Sequence, residues 1–221
     1  MGQQISALRV QKRNPQRVNV YLDGVYAFGL ARIVAAWLQI GQELSDEKIT
    51  QLRSEDEVEA AYQHALKYLS YRPRSRAEVR TNLQKHGTPD LVIDGVLERL
   101  LRSGMIDDER FARIWTENRS EFRPRSRRAL TYELRQRGLD QEIIGQTIES
   151  LDDGELAYQA AQKKARSLAA LEYAVFRQKL LGFLARRGFS YEDSEPAVQR
   201  IWAESHPNDK SRNDEDYEVY K

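Results

Sequence analysis

Two almost identical phrases, YRPRSRAEV at residues 71–79 and FRPRSRRAL at residues 122–130, lie 51 residues apart in this chain of 221 residues. In each phrase a proline interrupts a run of arginines, and a serine stands just before a helix-forming segment. Proline holds the residue before it in an extended conformation and so ends a helix, whereas serine is a favoured helix N-cap. Each phrase therefore predicts a stiff joint between two helices, and the repetition predicts a fold built from copies of one unit.

The similarity continues beyond the two phrases. The shift of 51 residues also aligns Gly87 with Gly138, and a further shift of 50 aligns Gly138 with Gly188 in a weaker third copy. Within each copy, apolar residues recur with the period of an amphipathic helix in three successive segments. We therefore expect a mainly α protein in which three tandem three-helix repeats form a curved, elongated array. The repeats are predicted at residues 56–105, 106–152 and 153–205.

The first 55 residues follow a different pattern. Apolar and polar residues alternate through VNVYL at 18–22, and Asp23-Gly24 separates this segment from VYAF at 25–28. Alternation indicates a strand, and Asp-Gly between two such segments is a strong β-hairpin signal. Residues 1–55 are therefore predicted to form a β-hairpin, or a sheet of two or three strands, followed by short helices.

Charge is distributed unevenly, although the formal net charge is only +1. Residues 67–138 contain 17 Lys and Arg against 10 Asp and Glu, a balance of +7, whereas residues 191–221 contain 4 against 9, a balance of −5. A basic middle region is typical of proteins that bind a polyanion or an acidic surface, and a solvated charged exterior is the alternative. Residues 206–221 show no periodicity and are predicted to form a mobile tail.

Several function classes lack the residues that they need. The chain has no cysteine, which excludes disulfides, thiolate metal sites and cysteine nucleophiles and agrees with a reducing cytoplasm. No glycine-rich phosphate loop occurs, and His64, His86 and His206 stand far apart without a metal-ligand spacing. No segment reaches the ~20 apolar residues of a membrane span. We therefore expect a cytoplasmic monomer with no cofactor and no metal that is not an enzyme.

The aromatic residues give no separate functional signal. Trp37, Trp115 and Trp202 fall on apolar faces and are predicted to be core residues rather than a base-stacking platform. The candidate binding residues are therefore the arginines in and around the two joints.

Planar guanidinium groups form paired hydrogen bonds with phosphates and carboxylates, and a stiff joint holds them at fixed positions. Arg76 and Arg80 share a helix face after the first joint, as do Arg128 and Arg135 after the second. The alternative is a capped turn whose charges keep it solvated. The predicted filament- or DNA-binding site comprises Arg72, Arg74, Arg76, Arg80, Arg123, Arg125, Arg127, Arg128 and Arg135.

These features resemble the RecX family, the regulators of RecA recombinase. The resemblance rests on LKYLSYRPRSRAEVRTNLQKHG at 66–87, on GMIDDERFARIWTENRSEFRPRSRRALTYELRQRGL at 104–139 and on the weaker LLGFLARRGFSYE at 180–192. It covers about residues 56–205, and the N-terminal hairpin region is similar to the extension of longer members. The chain departs from the family at Met105, a usual leucine or tyrosine position, and at Pro196 within the last helix.

The resemblance implies a protein that binds the RecA–single-stranded-DNA filament, lies in its helical groove across neighbouring protomers, and inhibits ATP hydrolysis, strand exchange and co-protease activity. Some family members also bind DNA directly. The residues themselves leave open a free-standing DNA-binding or architectural protein that uses its arginine joints on single- or double-stranded DNA without a recombinase. The sequence leaves open whether the arginines contact DNA phosphates, acidic protein residues, or both.

Overall fold

The computed structural model describes residues 2–207, so the predicted mobile tail lies, from residue 208 onward, outside the described residues. The strands are β1 (Gln3–Val10), β2 (Arg17–Leu22), β3 (Val25–Ala31) and β4 (Glu43–Leu44), with a short 3₁₀ helix at Val34–Trp37. The helices are α1 (Asp46–Leu69), α2 (Arg76–Lys85), α3 (Asp90–Arg102), α4 (Asp108–Phe122), α5 (Arg127–Gln136), α6 (Gln141–Ile148), α7 (Asp153–Ala165), α8 (Tyr173–Ala185) and α9 (Tyr191–Ser205).

The N-terminal sheet is antiparallel, with the strand order β3-β2-β1-β4. The predicted hairpin is confirmed: Asp23 and Gly24 turn between β2 and β3 with φ angles of +48° and +86°. The sheet has four strands rather than two or three, so the predicted number was too low. The additional strand, β4, has two residues, and no alternation is visible over so short a segment.

Helix α1 runs without a break from the sheet into the first repeat. Its first half buries Ile49 and Leu52 in the core of the sheet, and its second half buries Ala61 and Ala65 in the core of the first repeat. The boundary predicted after residue 55 thus falls inside one helix of 24 residues, between the side chains that face the two cores.

The predicted three tandem three-helix repeats are confirmed, with α1–α3, α4–α6 and α7–α9 as their helices. The second helix of each repeat ends at a glycine with positive φ: Gly87 at +77°, Gly138 at +74° and Gly188 at +93°. In each case the amide of the next residue donates to a carbonyl five residues back, which is the Schellman arrangement. The three glycines that recur at intervals of about 50 residues therefore end three helices with the same geometry.

Serine caps begin α2 and α5 as the sequence predicts. Ser75 and Glu78 form a complete capping box on α2, and Ser126 accepts a hydrogen bond from the Ala129 amide on α5. Helix α3 begins without a side-chain cap: its N-cap residue is Pro89, and no side chain bonds its first turn.

Two expectations about aromatic and histidine side chains were wrong. Trp37 is 88% exposed, because the 3₁₀ helix that carries it has only one turn and turns Ala35 inward instead. His64 and His86 are not apart: their ring centroids lie 4.1 Å from each other, because the joint folds α2 back along α1. Trp115 and Trp202 do pack in the cores of the second and third repeats.

The chain divides into two compact units, residues 1–107 and 108–221. The first unit contains the sheet and the first repeat, and the second unit contains the other two repeats. Over residues 2–207, no helix is both long and apolar enough to span a membrane. Within the same range, no three His, Cys, Asp or Glu side chains are grouped as a metal site.

Candidate polyanion-binding site

The first joint uses two of its arginines to hold its own shape. Arg72 Nη2 lies 3.0 Å from Glu78 Oε1, and Arg74 Nη1 lies 3.8 Å from the same oxygen. The Arg74 side chain is only 14% exposed, and its guanidinium carbon lies 4.1 Å from the centre of the Tyr68 ring. Since Glu78 also completes the capping box of α2, one carboxylate joins the two arginines to the helix start.

The other two predicted arginines of the first repeat lie on α2. Arg80 forms ion pairs with Asp94 and, at 4.0 Å, with Asp90, both on α3. Arg76 is exposed at the first position of the helix. Arg72, Arg74 and Arg80 are therefore paired inside the first unit, which leaves less of their hydrogen-bonding capacity for a ligand.

The second joint contains a similar internal pair. Arg125 Nε lies 2.9 Å from Glu133 Oε1 on α5. The other oxygen of Glu133 accepts hydrogen bonds from Arg119 Nε and Trp115 Nε1, each at 2.9 Å. Glu133 therefore fixes the joint to α4, and Arg125 is a positioning residue of the joint.

The remaining arginines of the second joint are exposed. Arg127 and Arg128 occupy the first two positions of α5, where no acidic residue stands in the first turn, and Arg123 precedes them. Cations at a helix N-terminus are unfavourable, because this end carries the positive pole of the helix dipole. Arg135, also exposed, donates two hydrogen bonds to the neutral Gln141 Oε1, at 3.0 and 2.7 Å. These four guanidinium groups face solvent on one unit of the protein.

The third repeat brings one more arginine to this joint. Arg187 Nη1 donates to the Pro124 carbonyl at 3.0 Å, and its own carbonyl accepts from the Ser126 amide at 3.3 Å. Burial, and then the charges of Arg125 and Arg123, hold the pKa of Arg187 below its usual range. Positive charge is therefore concentrated at the second joint at a cost in free energy.

Sequence reasoning missed Arg187, although the shift of 50 residues places Arg137-Gly138 on Arg187-Gly188. The repeat thus indicated an arginine before the third helix-ending glycine. Its approach to Pro124, 63 residues earlier in the chain, depends on how the second and third repeats pack.

An acidic side chain of the third repeat also reaches the second joint. Asp153 Oδ1 accepts a hydrogen bond from the Arg127 amide at 2.7 Å and so supplies a carboxylate to the start of α5. Burial raises the pKa of Asp153. The joint is therefore held by contacts from the start of α7 and from the turn after α8, as well as by its own proline and serine.

The fold and these residues define a class of protein: a tandem array of three-helix repeats in which arginines cluster at the joint between the first two helices of a repeat. Family models match most of the chain. They are the Regulatory protein RecX N-terminal domain at residues 3–45 and the first, second and third three-helix domains of RecX at residues 61–100, 107–148 and 152–198. The chain belongs to the RecX family of regulatory proteins.

Individual relatives agree. The chain is 32% identical over 200 residues to the Regulatory protein RecX of Bacillus licheniformis, an alignment that covers 88% of this chain and 76% of that protein. It is 31% identical over 219 residues to the Regulatory protein RecX of Bacillus subtilis, covering 97% of this chain and 80% of the relative. A crystal structure of regulatory protein RecX superposes with a TM-score of 0.71 at 28% identity and covers 89% of this chain and 99% of that one.

Proposed function

We propose that this protein regulates RecA recombinase by binding the RecA–single-stranded-DNA filament and inhibiting its ATP hydrolysis, strand exchange and co-protease activity. It acts as a monomer in the cytoplasm and catalyses no reaction itself. Membership of the RecX family supports the regulatory role, and the basic second joint supports binding to a filament that carries phosphates and acidic side chains.

One observation carries the assignment of the surface. Arg187 is held beside Arg123 and Arg125 although their charges repel it, while Arg127 and Arg128 begin a helix without an acidic residue in its first turn. The repulsion at Arg187 opposes folding, and at the start of α5 Asp153 supplies one carboxylate for two guanidinium groups, so a polyanionic partner would add favourable contacts. The proposed contact residues are Arg76, Arg123, Arg127, Arg128 and Arg135, with Arg72, Arg74, Arg80 and Arg125 acting mainly to position the joints.

A protein that binds through more than one joint can inhibit the filament by contacting more than one protomer. A regulator that contacts two neighbouring protomers at once binds best to the filament state in which those protomers have one particular arrangement. ATP hydrolysis and strand exchange need the filament to change state, so differential affinity for one state opposes both. Because each bound molecule acts on more than one protomer, inhibition is expected at less than one regulator per recombinase subunit.

The direct test adds the protein, below the recombinase concentration, to assays of ATP hydrolysis and strand exchange by the host recombinase. The informative variant combines Arg123→Gln with Arg128→Gln, because Arg125 must stay to neutralise the half-buried Glu133. The matched control combines Arg13→Gln with Arg102→Gln, which removes the same charge from exposed positions of the first unit. The proposal predicts inhibition by the parent and the control and a strong loss in the joint variant. Equal inhibition by all three proteins would refute the assigned surface.

The alternative, a DNA-binding or architectural protein, rests on the same exposed arginines, which suit DNA phosphates without a recombinase. A binding comparison separates the two functions. A filament regulator binds recombinase-coated single strands much more tightly than bare strands at physiological salt, because it adds contacts to the protein coat. Equal affinities for bare and coated strands would favour the alternative.

A further inference from the structure

Helix α5 presents an aromatic ring between two arginines. Arg128, Tyr132 and Arg135 are spaced i, i+4 and i+7, which places them on one face of the helix. The opposite face carries Leu130 and Leu134, both fully buried. Tyr132 is 65% exposed, so the core of the repeat does not require its ring.

The other repeats do not share this face. The repeat shifts align the three residues with Ala77, Thr81 and Gln84 in the first repeat and with Gln178, Gly182 and Ala185 in the third. A three-helix repeat therefore folds without an aromatic residue or a charge at any of these positions. The sequence Arg–Tyr–Arg along α5 needs a reason other than the fold.

No acidic side chain neutralises this face from within α5. Glu133 is the only carboxylate of the helix, and it is engaged by Trp115, Arg119 and Arg125 at the joint. Arg135 contacts the uncharged Gln141. The face thus combines exposed cations with an exposed π-system, and α5 itself supplies no counterion to either cation.

We propose that unpaired bases of a single-stranded nucleic acid stack on Tyr132 while Arg128 and Arg135 bind the flanking phosphates. The two arginines are separated by about 10 Å along the helix axis, with the ring between them. Arginines that follow the backbone and aromatic rings on which bases stack are the two elements of single-strand binding surfaces. This site deepens the proposed function, since it rests on the basic second joint and adds recognition of the bases.

The ring gives the surface a means of selecting single strands. Bases in a duplex are already stacked and paired, so they cannot cover Tyr132 without unstacking, whereas the phosphates of either form can meet the arginines. Tyr132 therefore contributes to affinity for single strands and not for duplexes, and its contribution depends on the presence of bases rather than on their identity.

The experiment measures affinity by fluorescence anisotropy for three probes of about 20 nucleotides: oligothymidylate, an abasic strand of the same length, and a duplex. For the parent, oligothymidylate should bind about five- to a hundred-fold more tightly than the abasic strand. Tyr132→Ala should lose most of this preference, Tyr132→Trp should keep it, and duplex affinity should be equal in all three proteins. Each protein should show the same dependence of affinity on salt, because the phosphate contacts remain.

A matched control is Tyr26→Ala, which removes an exposed tyrosine of β3 and should bind like the parent. Unchanged thermal melting of Tyr132→Ala verifies that the helix is intact. If the parent does not distinguish the abasic strand, or if Tyr132→Ala keeps the preference, stacking on Tyr132 is wrong. Recombinase inhibition is measured on the same proteins, so the two proposals can fail separately. Inhibition without base preference rejects only the stacking site, and base preference without inhibition rejects only the filament function.

Discussion

Gly188 packs so closely against Ser126 that a Cβ atom added to the glycine would lie 2.6 Å from the serine Oγ. Ser126 is 1% exposed and caps α5, and its amide donates to the carbonyl of Arg187, the residue before the glycine. The turn that ends α8 therefore rests directly on the second joint. This close contact is possible because the residue at position 188 has no side chain.

The first prediction is that Gly188→Ala destabilises the protein more than Gly87→Ala. Both glycines have positive φ, at +93° and +77°, so both substitutions carry a backbone cost of about 1 kcal/mol. Only at Gly188 does the new Cβ meet buried atoms, since nothing lies within 4 Å of the position at Gly87. We expect an additional loss of about 1–3 kcal/mol, measured by urea denaturation. Equal losses in the two variants would show that the third repeat does not rest on the joint.

A second prediction separates the structural arginine of the first joint from its exposed neighbour. Arg74→Ala removes a guanidinium that packs on Tyr68 and faces Glu78, so the free energy of unfolding should fall by about 1–2 kcal/mol. Arg76→Ala, an exposed position, should change it by less than about 0.5 kcal/mol. Filament binding should show the reverse order once it is corrected for the folded fraction. A stable Arg74→Ala protein with weakened binding would instead make Arg74 a contact residue.

A third prediction concerns the contact between sheet and α1. Asp56 Oδ1 accepts the Ala31 amide at 2.5 Å, and its Oδ2 lies 2.7 Å from Arg17 Nη2. Asp56→Ala leaves both donors without this acceptor and should cost about 1–3 kcal/mol. Asp56→Asn keeps an acceptor for the amide and should cost less. Denaturation of both variants measures the difference, and a neutral Asp56→Ala would mean that water replaces the carboxylate without loss.

A fourth prediction follows from Glu195 on α9. Burial raises the pKa of this carboxyl, but hydrogen bonds from Arg177 and Gln199 outweigh it, so the net pKa is lowered. A lowered folded-state pKa means that the unfolded chain binds the proton more readily. The contribution of Glu195 is therefore present above the ordinary glutamate pKa of about 4.3 and is lost as the pH falls through its folded-state pKa.

The corresponding experiment compares the parent with Glu195→Gln by denaturation at several pH values. At neutral pH the variant should be less stable by about 1 kcal/mol, a modest figure because Arg177 is 36% exposed. The difference should shrink as the pH is lowered toward about 3. A difference that stays constant over this range would show that packing rather than charge accounts for it.

Features set by adjacent residues could be predicted from the sequence. Proline, a serine cap and a helix-ending glycine act within a few positions, so both joints, the hairpin at Asp23-Gly24 and the three repeats were all predicted. Features that depend on packing between distant segments could not. The approach of Arg187 to Pro124 and the contact of His64 with His86 require elements that are far apart in the chain.

Amphipathic periodicity also fails over very short elements. Trp37 lies in a 3₁₀ helix of four residues and β4 has two residues, so neither segment is long enough for its pattern to complete a second period. At the joints, the arginines could be predicted from the sequence, but the carboxylates that pair with them could not. Some arginines, such as Arg74, are paired, and others, such as Arg128, are exposed. This division depends on where the fold places Glu78 and Glu133.

Because α1 is continuous, its length sets the orientation of the sheet relative to the first repeat. Each residue of an α-helix turns the chain by about 100° and advances it by about 1.5 Å. One alanine inserted near residue 57 would rotate the sheet by more than a quarter turn about the helix axis relative to the first repeat. It would also rotate Asp56 by the same angle relative to the residues of α1 that follow it. Insertions of about seven residues, close to two full turns, would restore the angle while adding about 10 Å of distance. We therefore expect the fold to tolerate changes in the length of α1 only in steps close to whole helical turns.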